Sequence, residues 1–69
     1  MEPGWRKTWE ESDEDYVYCD GSGRQLGRAY YSPQNQWRWF FAGMTGRTDS
    51  RREALLAVEM AYERRAGSI

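Results

Sequence analysis

The chain has 69 residues, 39% of them apolar and 30% charged, with a formal net charge of −1 and a single cysteine. That length makes one small domain, and no stretch approaches the roughly 20 apolar residues of a membrane span. The absence of histidine removes the commonest general base and metal ligand, and the lone Cys19 excludes an internal disulfide.

A chain this short buries only about 60% of its unfolded surface, so its core must be dense in large side chains. Four Trp, five Tyr and two Phe supply them. The opening "MEPGWRKTWEES" lacks an apolar run, so no signal peptide is expected and the chain reads as cytoplasmic. Residues 1–14 read as a loose acidic arm with Trp5 and Trp9 as anchors, and 15–69 as a single domain. Charge is uneven: residues 1–20 hold seven acids against two bases, and the remainder four acids against eight bases. An acidic leader thus precedes a mildly basic body. It serves solubility, folds against a basic surface, or competes for that surface with an anionic partner.

"DYVYC", 15–19, alternates and is rich in β-formers, which predicts the first strand. "DGSG" is a turn, "RQLGRAYYS" over 24–32 the second strand, "PQNQ" the next turn, and "QWRWFFA" over 36–42 the third strand. Gly43 and Gly46 release the chain into a loop. "SRRE", 50–53, has capping-box spacing. A helix is expected over 51–65, with Arg64 and Arg65 complementing its dipole and Gly67 as its C-terminal cap. Ala54, Leu55, Val58, Ala61 and Tyr62 fall on one stripe that buries against the sheet. The predicted fold is α+β: a three-stranded antiparallel meander with one C-terminal helix on one face, order βββα.

Two-residue tips at Gly21–Ser22 and Gln34–Asn35 set a register. The core face then holds Val17, Cys19, Leu26, Tyr30, Trp37, Trp39 and Phe41. The outer face holds Tyr16, Tyr18, Gln25, Ala29, Tyr31, Arg38 and Phe40. Such an aromatic outer face needs a cover. The N-terminal arm folds across it, or it binds another protein or a second copy, or it binds nucleic acid by stacking and arginine contacts. Tyr16, Tyr18, Tyr31, Arg38 and Phe40 are therefore candidate partner-binding residues. Leu56 and Met60, opposite the helix's core stripe, join them as surface apolar area or half of a small interface.

No catalytic, cofactor or metal site is expected. Cys19 on the core face is inert packing. "EESDED" lacks the spacing of a calcium loop, and "DGSGRQLGR" lacks a Walker lysine and does not open a helix.

At "DGSGRQLGRAYY", "WRWFFAG" and "SRREALLAVEMAYER" the chain resembles short uncharacterised proteobacterial proteins over residues 15–66, which implies the fold alone. More distantly it resembles the arm-type DNA-binding domain of tyrosine integrases, three strands and a helix whose sheet enters the major groove. That resemblance implies nucleic-acid contacts at Arg24, Arg28 and Arg38. The expected function is a non-enzymatic binding module, first for protein or self-association through the outer face. Nucleic-acid binding through the sheet, or the role of a small phage or mobile-element inhibitor, are the alternatives.

Overall fold

The computed structural model describes residues 3–66. Five strands precede one helix: β1 (Gly4–Lys7), β2 (Asp15–Cys19), β3 (Gln25–Ser32), β4 (Gln36–Phe41), β5 (Met44–Thr48) and α1 (Arg51–Ala66). The strands form one antiparallel sheet in chain order, and α1 packs on β3, β4 and β5. The class is α+β, but the sheet is five-stranded, which corrects the three-stranded meander expected from the sequence. The helix begins where the cap requires, the Glu53 amide donating to Ser50 Oγ at 3.2 Å. The expected cap at Gly67 lies outside the described residues.

The two extra strands hide for identifiable reasons. β1 is four residues of "GWRK" inside a charged segment, and its stability comes from pairing with β2 rather than from its own composition. β5, "MTGRT", carries a glycine in mid-strand, which weakens a strand locally. Trp39 compensates. It lies opposite Gly46, and a Cβ added at Gly46 would fall on the indole, 2.7 Å from Cε2. The ring thus covers the edge glycine from the neighbouring strand. The β4–β5 connection is a two-residue turn in which Ala42 (φ 47°) and Gly43 (φ 85°) both adopt positive φ, as a type I′ hairpin demands. An alanine in the first of those positions carries little sequence signal.

Register decides the faces. Ser32 pairs with Gln36, so the β3–β4 turn holds three residues, with Asn35 left-handed at φ 62°. Expecting two residues there moves the pairing by one. Tyr30 faces Arg38 rather than Trp39, and Arg28 faces Phe40 rather than Phe41. A shift of one exchanges the faces of β2 and β3 relative to β4. Tyr16, Tyr18, Ala29 and Tyr31 therefore share the helix side with Trp37, Trp39 and Phe41. Val17 and Tyr30, expected in the core, lie on the helix-free side with Arg38 and Phe40. Leu26 keeps its place against the core, because a bulge next to the Tyr18/Cys19 pairs inserts it as an extra residue.

The core consists of Tyr18, Phe41, Val58 and Ala61, with Trp5, Leu26, Trp39 and Tyr62 packed around it. Tyr62 meets Tyr18 and Phe41 edge-on, with centroids 5.7 and 6.1 Å apart. These are favourable arrangements of ring quadrupoles. Small residues let the helix approach: Ala29 and Ala54 are fully buried. A Cβ at Gly27 would lie 2.7 Å from the Phe40 carbonyl oxygen and 3.0 Å from Val58 Cγ1. Trp5 lies over Tyr18, centroids 4.7 Å apart, and donates from Nε1 to Glu59 at 3.2 Å. It ties β1 to the helix side and does not cover the other face.

Candidate functional site

The helix leaves one face of the sheet bare, and antiparallel pairing aligns its side chains in rows. One row runs Thr8, Asp15, Tyr30, Arg38, Arg47 across the strands. The next runs Arg6, Val17, Arg28, Phe40, Thr45. Directly opposite residues hold their Cβ atoms about 4.5–5.5 Å apart, and successive same-face residues on one strand are about 7 Å apart. At the centre, on β3 and β4, the two rows make a checkerboard. Tyr30 stands opposite Arg38 and Arg28 opposite Phe40, so each arginine has an aromatic neighbour both across and along the strands. An open concavity of about 870 Å³ covers this area, lined by Arg28, Tyr30, Arg38, Phe40, Thr45 and Arg47 among others.

One arginine is fixed. Arg28 Nε donates to Asp15 Oδ1 at 2.9 Å, and its Nη2 pairs with Oδ2, a bidentate geometry. Its guanidinium also lies over the Tyr30 ring, 4.8 Å from the centroid. Burial by itself pushes the Asp15 carboxyl up. Hydrogen bonds from Arg28 and Thr8, the Arg28 charge and the Trp9 indole outweigh it and hold the carboxyl below its ordinary range. The same hydrogen bond raises Arg28 in turn.

Among the described residues only Asp13 and Asp15 form ion pairs, with Lys7 and Arg28, so Arg6, Arg38 and Arg47 of this face have no carboxylate partner among them. Arg38 and Arg47 stand directly opposite each other, a destabilising like-charge pairing. Arg38 Nη2 donates to Gln34 at 2.9 Å, while its Nε is buried with no acceptor among the described residues. Phe40 stands 44% exposed between the arginines.

The residues singled out from the sequence separate into four places. Arg28, Arg38 and Phe40 come together on the bare face. Tyr16, Tyr18 and Tyr31 do not join them, since the register puts all three on the helix side. Tyr18 is core. Tyr16 and Tyr31 flank Trp37, with centroids 6.4 and 5.8 Å away, and Tyr16 receives a hydrogen bond from Arg51 at 3.0 Å. Arg24 stands in the β2–β3 loop, where its amide donates to Asp20 Oδ1 at 3.0 Å. Leu56 and Met60 are 51% and 56% exposed on the outer side of α1, apart from the bare face.

Arg6, Tyr30 and Arg47 complete the face and were missed. Arg6 and Arg47 lie on the two unexpected strands, and the two-residue turn at Gln34–Asn35 puts Tyr30 in the expected core. The alternation of "TGRT" after Ala-Gly was the available signal for Arg47. Among the described residues no cluster of three or more metal-ligating side chains occurs, and no helix is long and apolar enough to cross a membrane. No family model matches the chain, and no curated protein or solved structure is significantly similar to it.

Proposed function

We propose that the protein is a non-enzymatic module that binds nucleic acid on the helix-free face of its sheet. The observation that carries this reading is the facing pair Arg38 and Arg47, set beside Arg28, Tyr30 and Phe40 and left without carboxylate partners among the described residues. Like charges held in register cost stability when nothing anionic lies between them. Phosphate oxygens accept from guanidinium groups in strong charge-assisted bonds. A net charge of −1 does not oppose the reading. The acids lie largely in the β1–β2 connection and on the helix, and the local field of the bare face is set by its arginines. Protein binding through a single face of Tyr16, Tyr18, Tyr31, Arg38 and Phe40 has less support, because the three tyrosines lie on the helix side and only Arg38 and Phe40 stay on the bare face.

The test is anisotropy of a labelled mixed-sequence oligonucleotide titrated with the full chain at several salt concentrations. Binding at 50 mM salt that weakens steeply by 200 mM is expected, from release of counterions. Arg47→Ala lowers the slope of log K against log salt by about one. No binding of single or double strand at 50 mM salt overturns the proposal.

A further inference from the structure

We infer that the nucleic acid taken by this face is single-stranded, its backbone held by Arg38 and Arg47 and its bases laid on Phe40 and on the Arg28 guanidinium that covers Tyr30. The inference rests on the binding reading above and adds the form of the ligand. Two independent features carry it.

The first is width. Five strands leave four gaps of about 4.8 Å, so the face spans roughly 19 Å, whereas the major groove of duplex DNA is about 12 Å wide. The checkerboard sits on β3 and β4, the third and fourth of five strands. Either β2 or β5 meets the phosphate walls before those side chains reach a groove floor. A three-stranded sheet, with two gaps and roughly 10 Å of width, would enter. β1 and β5 are what make the sheet too wide. A single strand has no walls and lies across the face.

The second feature is the exposed ring. Phe40 has no hydrogen-bonding group, stands 44% in water, and has Arg28 and Thr45 directly across from it and Arg38 along its strand. A phosphate-reading surface has no use for it, and a duplex hides its base faces within the stack. An unstacked base offers a flat apolar partner of matching size. The Arg28 guanidinium lies over the Tyr30 ring and is itself fixed by Asp15, so it offers a planar cation on which a base can stack. Alternating cations and rings at roughly 5–7 Å spacing match a ligand that alternates charged phosphates with flat bases.

The test uses three ligands of equal length with the wild-type chain and Phe40→Ala: a single strand, its duplex, and an abasic strand that keeps the phosphates. The wild type is expected to bind the single strand at least tenfold more tightly than the duplex or the abasic strand. Phe40→Ala should lose about tenfold on the single strand and leave the abasic strand unchanged. Circular dichroism checks that the variant keeps its fold, which its exposed position favours. Equal or tighter duplex binding, as the likeness to integrase arm domains implies, overturns the inference and leaves the proposed function standing. Equal affinity for the single and abasic strands also overturns it. Failure to bind any of the three at 50 mM salt removes the proposed function as well.

Discussion

The two faces of the sheet use the same side chains for opposite ends. On the helix side, aromatic rings meet aromatic rings and small residues: Phe41 is 3% exposed, Tyr18 is 7%, and Ala29 and Gly27 make room for Val58. On the bare side, Tyr30 and Phe40 meet arginines, and Phe40 stays 44% exposed one position along the strand from Phe41. Residue type therefore does not divide core from exposed face here. What divides them is the neighbour across the strands, apolar or glycine for Phe41 and Tyr18, polar or charged for Tyr30 and Phe40. The lesson is that strand neighbours decide an aromatic side chain's exposure: Phe40, beside Arg28 and Arg38, stands in water, whereas Phe41, opposite Gly27, is packed.

Substitutions that break this contrast should lose stability on one side and binding on the other. Phe41→Ala carries the largest expected effect. Removing a buried phenylalanine costs about 3–5 kcal/mol, against a total of about 3–10 kcal/mol for a domain of this size. Thermal denaturation should show the variant unfolded or nearly so near 37 °C; a small change in Tm would mean Phe41 is not central to the core. Gly27→Ala follows, at about 1–3 kcal/mol of overpacking. Its Cβ meets the Phe40 carbonyl oxygen at 2.7 Å, a backbone atom that yields little. Chemical denaturation measures it, and an unchanged midpoint would show that β4 and α1 both yield enough at Gly27 to admit a methyl group.

Asp15 sharpens the comparison from the bare side. Its folded pKa lies below the ordinary 3.8. The stability it supplies is fully present above that ordinary value and is lost as pH falls through the folded one. Acid unfolding of Asp15→Asn should thus be flatter below about pH 4, with about 1 kcal/mol lost at neutral pH once solvent screening of the half-exposed Arg28 is allowed for. Identical acid profiles for the two proteins would remove the fixed-arginine role. Arg47→Ala has the smallest effect on folding. Relief of the pairing with Arg38 leaves stability unchanged or raises it by a few tenths of a kcal/mol, while oligonucleotide binding weakens. A clear loss of stability would show that Arg47 is held by the fold rather than offered to a ligand.

Local chemistry made much of the architecture legible. The capping box, the buried stripe at Ala54, Val58 and Ala61, and the strands around "DYVYC" and "QWRWFF" follow from propensity and periodicity, which act within a few residues. The outward direction of Arg38 and Phe40 followed as well, since alternation along β4 needs only the knowledge that Trp39 and Phe41 are core. Arg38 and Phe40 were therefore within reach. Arg28 is singled out only by the resemblance to integrase arm domains, since the two-residue turn sets it opposite Phe41 rather than Phe40, and Arg6, Tyr30 and Arg47 were out of reach.

The sequence by itself determined the helix, the three central strands and the parity of the third of them, because each depends on contacts between near neighbours in the chain. Tertiary structure decided the rest. A three-residue rather than two-residue turn at 33–35 chose which side of β3 faces the helix. Pairing with β2 and β4 turned the weak segments 4–7 and 44–48 into strands. The physical reason is the same in both cases. Side-chain period in a strand is two, so a single residue of register exchanges whole faces, and an edge strand is stabilised by the ladder it joins more than by its own residues.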